Sequence, residues 1–275
     1  MKISKLAAFS ASLVCFSSAF ADTQDIKAAN NQLSIQAVST NVNYTETGDG
    51  RFHSSNGTLD TETGSVPGVA MTFSVMKNLI LTNDYLQLHF SRNSGHTDYT
   101  GSLQSGGAFG SVVGQSGATM TDYSMRYGKG FAMSNNAMLT PYGELGYHKW
   151  QRDVNYGETY SNNYVGIGAL AQFSPTARLV LSANALLGVT YDSNINIAGP
   201  TGFSGPLGNS SLYKLGLSAD YAFTKSLHGN IGVDYTAFNY GASDNYLINN
   251  GRDVAWEPRS QSRLTTVSMG VGYAF

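Results

Sequence analysis

Tyr164-Val-Gly-Ile-Gly-Ala-Leu-Ala-Gln-Phe173 reads with a period of two. Val165, Ile167, Ala169, Ala171 and Phe173 share one face, while Gly166, Gly168 and Gln172 share the other. Extended backbone points successive side chains to opposite sides, so this alternation predicts a strand with one apolar face. After Ser174-Pro175 the device repeats, with Leu179, Leu181, Ala183, Ala185, Leu187 and Val189 opposite Ser182, Asn184 and Gly188. Tyr213–Phe223 sets Leu215, Leu217 and Ala219 against Lys214, Gly216, Ser218 and Asp220, and Val267–Phe275 alternates in the same way. The polar face is rich in glycine and small residues, as a crowded concave lumen demands. Aromatic residues gather near the ends of the apolar face, like the girdles at membrane interfaces.

Composition alone does not separate a membrane barrel from a soluble sandwich: mean hydropathy is −0.17 and charged residues make up 12%. The connections do. Strands are expected near 32–45, 66–76, 79–93, 119–132, 137–151, 160–173, 177–191, 211–223, 227–240 and 262–275. Short links at Met76–Asn78, Met133–Asn136, Ser174–Thr176 and Thr224–Ser226 alternate with long polar ones at 46–65, 94–118, 152–159, 192–210 and 241–261. Short periplasmic turns and long external loops are the pattern of an outer-membrane barrel. The predicted fold is an all-β, transmembrane, antiparallel up-and-down β-barrel of about ten strands, with eight or twelve also compatible. A strand needs only about 9–11 residues to cross the bilayer, so these should project beyond its outer surface.

The N-terminus agrees with export. Lys2 and Lys5 precede an uncharged apolar stretch, Leu6–Ser18, and Ala19-Phe20-Ala21 forms a small-residue cleavage site. Residues 1–21 are therefore read as a signal peptide and 22–275 as the barrel domain, located in the cell outer membrane of a Gram-negative bacterium. Val14 before Cys15 argues against a lipoprotein signal. Removing Lys2 and Lys5 leaves 14 basic residues against 18 acidic ones, a net charge of −4 without a basic run, which speaks against a nucleic-acid partner. Cys15 is the single cysteine, so the processed chain has neither a disulfide nor a thiolate for catalysis or metal binding. No cofactor is expected. His53, His89, His96, His148 and His228 are scattered without metal-ligand spacing.

The terminal Val267-Ser-Met-Gly-Val-Gly-Tyr-Ala-Phe275 resembles the C-terminal strand by which barrel-assembly machinery recognises its clients. Leu139-Thr-Pro-Tyr-Gly-Glu-Leu-Gly-Tyr147 and Tyr164-Val-Gly-Ile-Gly-Ala169 resemble the small OmpA-like and opacity-type surface barrels. Those families usually have eight strands. A count of ten is also similar to omptin proteases and Opc-type adhesins.

Alternation turns Asp122, Arg126, Glu144, His148, Lys214, Asp220 and Asp234 toward the lumen. They could line an ion path or form a catalytic cluster. Filling a narrow barrel with paired polar groups is the favoured reading, because open pores come at about 16–18 strands. His89-Phe90-Ser91 places an imidazole and a hydroxyl on one face, expected near the outer rim, and faintly resembles the His-x-Ser pair of lipid A deacylases. Acyl transfer needs a carboxylate to orient the imidazole, and none can be assigned. An omptin-like site asks for an aspartate pair and a His-Asp pair, and no histidine lies in an Asp-x-His segment; Asp60-Thr-Glu62 reads as polar loop. No enzyme is expected, with no catalytic residue assigned.

The external loops are the remaining place for function. Ser94–Thr119, rich in Gly and Ser, reads as a shapeless loop. The last loop brings Tyr246-Leu-Ile248 and Val254-Ala-Trp256 beside Arg252, Asp253, Glu257 and Arg259, either as a contact patch or packed over the barrel mouth. The expected function is a surface barrel with a structural, adhesive or antigenic role. The alternatives are a narrow channel for ions or small solutes and, third, a lipid-modifying hydrolase. Expected partners are outer-membrane lipid and lipopolysaccharide, the assembly machinery, and host or phage contacts through the loops.

Overall fold

A computed structural model describes residues 22–51, 57–78, 80–102, 107–200 and 202–275. The signal-peptide reading of residues 1–21 and His53 lie outside the described residues.

Ten long strands form one closed antiparallel sheet. They are β1 (Gln32–Thr47), β2 (Thr58–Lys77), β3 (Asp84–Gly101), β4 (Val112–Lys129) and β5 (Ala137–Arg152), then β6 (Glu158–Thr176), β7 (Leu179–Ile197), β8 (Ser211–Ala222), β9 (Leu227–Tyr240) and β10 (Arg259–Ala274). Each pairs with its neighbours in sequence, and β1 closes the ring against β10 from Gln32↔Ala274 to Thr47↔Arg259. At the inner end of this seam Phe275 donates its backbone N–H to Asn31 O, and its ring stacks on Phe73 at 5.9 Å.

No helix among the described residues is long and apolar enough to span a bilayer, so crossing falls to the strands. Their two faces are inverted relative to a soluble protein. Ile167, Met269, Leu187 and Leu217 point outward, 76%, 66%, 63% and 61% exposed, whereas Glu62, Glu144 and Arg152 are buried inside. Only a solvent of lipid makes that distribution favourable over a continuous belt. The chain is an outer-membrane β-barrel.

Interior glycines explain the small-residue face. The Tyr164 ring lies where a Cβ on Gly146 would sit, and the Tyr142 ring covers Gly168. Large side chains from one strand therefore lie flat across gaps left in the next.

The strands run further outward than the alternation showed. β2 starts at Thr58 rather than 66, β3 continues to Gly101, and β4 begins at Val112. Most of the expected Ser94–Thr119 loop is thus paired strand, with His96↔Gly117 and Tyr99↔Gly114 in register. In β7, Asp192 adopts φ 51° at a register shift opposite Ser161–Asn163. That bulge changes which residues face inward, so Ser193 and Ile195 are buried beyond it.

A seven-residue helix, α1 (Thr23–Ala29), precedes the barrel and was not foreseen from the sequence. Asp22 and Asp25 form a capping box at its start. Ile26 is fully buried against the inner end of the lumen, together with Met76, Tyr85, Met138 and Val180. Asn30 and Gln172 exchange side-chain hydrogen bonds of 2.6 and 3.1 Å, and Asn31 bonds Met76 O.

Candidate functional site

The lumen has three layers. At its inner end α1 and the apolar side chains around Ile26 form a plug. Above lies a polar cavity of about 290 Å³, into which Gln36, Gln87, His89, Ser91, Asn230 and Lys214 project. The expected interior charges all face the lumen, six of them around this middle region and Asp220 at its inner end, where Gln32 donates to it. Glu144 is held by Arg126 from the adjacent strand and by Lys214 Nζ at 2.8 Å from across the barrel, and Tyr164 donates to it at 2.7 Å. His148 Nδ1 contacts Asp122 at 2.7 Å, and His228 Nδ1 contacts Asp220 at 2.5 Å. Asn184 hydrogen-bonds Asp234. These arrangements compensate charge that an uncompensated low-dielectric interior would disfavour. Strand pairing puts Asp122 directly opposite His148 and His228 diagonally across from Asp220, proximities that spacing along the chain does not show.

His89 is the sixth residue of β3 from its inner end, so it lies at mid-depth and not near the outer rim as expected. Its Nδ1 meets Thr72 Oγ1 at 2.9 Å. Ser91, Asp122 and His148 follow one another across β3, β4 and β5 in register. The carboxylate thus stands between hydroxyl and imidazole, whereas acyl transfer needs the imidazole in the middle. Among the described residues, no group of three or more His, Cys, Asp or Glu is disposed to hold a metal ion.

The third layer closes the outer end. Tyr44 and Trp150 pack edge to face at 5.1 Å, Tyr160 and Tyr240 lie 5.1 Å apart, and Phe238 meets Tyr240 at 5.4 Å. On this aromatic floor rests Arg152, whose side chain is fully buried. It bonds Glu62 at 2.7 Å, Asp60 at 3.0 Å and Glu158 at 3.1 Å, with its guanidinium over the Tyr44 ring at 4.6 Å. Asp60 and Glu62, expected in a polar loop, are therefore strand residues in an ion-pair cluster. Burial outweighs Arg152 and raises both Asp60 and Glu158 above the usual carboxylate range. Glu257 is also buried here and receives a hydrogen bond from Tyr160. Burial, then the neighbouring Glu158 charge, pushes Glu257 well above that range.

The loops are tied to this layer. Ser243 and Glu257 bond each other through N–H donors at 2.9 and 2.7 Å. Arg51 reaches from the first external loop to Ser243 O and Asn245 Oδ1. Tyr246–Ile248 pairs with Asp253–Ala255 in a small hairpin, and Tyr246 stacks on Phe203 at 4.8 Å. Tyr246 is thus packed against a neighbouring external loop, while Leu247 at the hairpin remains 74% exposed.

No family profile matches the chain, and no curated relative matches it. Among solved structures, it is similar to the outer membrane protease OmpT of Escherichia coli, at 9% identity and a TM-score of 0.55, over 89% of this chain and 95% of that one. The β-domain of the Bordetella autotransporter BrkA aligns at 12% identity and TM-score 0.41, over 89% and 100%. Ail of Yersinia pestis aligns at 11% identity and TM-score 0.31, over 90% and 99%. The likeness to OmpT is one of fold, and it agrees with a closed barrel in the outer membrane.

Proposed function

We propose that the protein is a non-conducting surface barrel whose outward extension and joined loops present a rigid binding face to the cell exterior. The observation that carries this reading is the double closure of the lumen, by α1 below and the aromatic–Arg152 layer above. A barrel built to conduct would need a continuous wet path, whereas here the polar cavity lies between an apolar plug and a layer of packed aromatic rings and paired charges. The outer strands support presentation, since β2 continues from Pro67 to Thr58 and β3 from Phe90 to Gly101 with polar outward faces. Binding sites gain affinity when the presenting segment is already ordered. Loop contacts with host or phage surfaces fit this geometry and give it an adhesive or antigenic role.

Planar-bilayer recording of the refolded protein, with heat-shifted gel mobility as the folding control, tests the reading. Silence with a folded barrel is expected; steady discrete openings would overturn it. The internal cavity favours a narrow channel as the second reading, which requires both seals to move. The hydrolase reading asks His89 and Ser91 to act within a cavity closed to lipid, and a lipid A profile dependent on Ser91 would revive it.

A further inference from the structure

Three rows of outward-facing side chains across β3 to β6 form a patch that differs from the rest of the wall. The uppermost row is Arg92–Thr121–Lys149–Ser161, each residue paired in register with the next. Below it come Phe90, Tyr123 and Tyr147, then Leu88, Met125, Leu145 and Val165. The aromatic row is consecutive, with ring centroids 5.1 Å apart for Phe90–Tyr123 and 6.4 Å for Tyr123–Tyr147. Leu88, Phe90, Tyr123, Met125, Leu145 and Tyr147 line an apolar groove of about 620 Å³ on the lipid side of the wall.

Arg126, Arg152 and Lys214 are all paired with carboxylates. Among the described residues, Arg92 and Lys149 form no ion pair with a carboxylate. They stand two ladder steps apart, about 9–10 Å between backbones at the usual strand spacing, with the small Thr121 between them. Two long cationic side chains at that separation can converge on one phosphate from both sides. They stand one row outward of Phe90, Tyr123 and Tyr147, toward the long-loop end of the barrel. The long-loop end of the barrel faces the outer leaflet.

We infer that this patch is a specific site for the lipid A portion of lipopolysaccharide. Arg92 and Lys149 take a glucosamine phosphate, Phe90, Tyr123 and Tyr147 support the sugar, and an acyl chain occupies the groove beside Leu88, Met125 and Leu145. The charge of the cations, the apolar groove beneath them and the depth of the junction all match an amphiphile with anionic phosphate directly on its acylated end. Arg263 on the opposite wall also points outward, but its register partners are Asn43 and Ala237, so it lacks a second cation.

Native mass spectrometry of the delipidated protein in detergent tests this, with diphosphoryl lipid A, monophosphoryl lipid A and phosphatidylglycerol as probes. The expected result is one tightly held diphosphoryl lipid A per barrel. Affinity should fall at least tenfold in Arg92→Ala/Lys149→Ala and stay near wild type in Arg92→Lys/Lys149→Arg and in Arg263→Ala. Monophosphoryl lipid A should bind more weakly. Equal affinity in the double alanine variant, or equal competition by phosphatidylglycerol, would overturn the site in favour of unspecific lipid adsorption. Gel mobility before and after heating shows that each variant is folded, and none of these outcomes depends on whether the lumen conducts.

Discussion

Arg152→Ala removes the one cation from a cluster that contains Asp60, Glu62 and Glu158. The arginine side chain is fully buried, and water cannot replace its charge without opening the outer mouth. Breaking a buried ion pair from one side costs about 3–5 kcal/mol. At about 1.36 kcal/mol per decade, the folded-to-unfolded ratio should drop by two to nearly four decades. The loss has a pH signature. Without Arg152, Asp60 and Glu158, already raised by burial, rise further above their unfolded values of about 4. A carboxyl raised in this way supports the fold while it is protonated, and that support is lost as pH rises through its folded value. The gap between variant and wild type should therefore be small near pH 4 and full near pH 8. Both tryptophans help the assay, since Trp150 lies under the guanidinium and Trp256 lies near Arg51 in the joined loops. Urea unfolding in lipid vesicles, followed by tryptophan emission at both pH values, gives the two midpoints. An unchanged midpoint at pH 8, or a deficit independent of pH, would refute the claim that charge compensation at Arg152 holds the outer end together.

Three further outcomes follow from the same layers. Deleting Thr23–Ala29 alone, or combining Trp150→Ala with Tyr160→Ala, should leave planar bilayers silent, whereas all of these changes together should give discrete openings, because each seal suffices without the other. Gly146→Ala places a methyl in the space of the Tyr164 ring and should displace its bonds to Glu144 and Lys214, costing about 1–3 kcal/mol in the urea midpoint. Glu257 is raised by burial and favours the closed mouth while protonated, so protease cleavage of the 241–258 loop should accelerate as pH rises through its folded value. Glu257→Gln should remove that pH dependence and leave the loop protected.

The sequence revealed the membrane-facing half of each strand because lipid enforces alternation there. Tyr164–Phe173 and Leu179–Tyr191 were legible for this reason, and so was the inward placement of Glu144, His148 and Lys214. Beyond the bilayer both strand faces are polar, so Thr58–Ser65 and Ser94–Gly101 carried no period and read as loops. The Asp192 bulge shifted the phase and hid Ser193 and Ile195. Arg152 escaped notice for a related reason: its partners Glu62 and Glu158 come from two other strands, and only register places them around it. The plug was hidden because Thr-Gln-Asp-Ile-Lys-Ala-Ala has a single large apolar residue, Ile26, too little to show a helical period.

The seam between β1 and β10 governs how this molecule can come into being. Sixteen register pairs join the first strand made to the last, from Gln32↔Ala274 through Thr47↔Arg259. Until β10 is in place, the sheet has two bare hydrogen-bonding edges, the free sides of β1 and β9. A chain stopped anywhere before Arg259 lacks the strand that would cover the free side of both β1 and β9. Contacts of such long sequence separation form slowly, so the unfinished sheet stays open to wrong partners for most of its assembly. Closure is thus all-or-none, since β10 is the strand that joins β9 to β1.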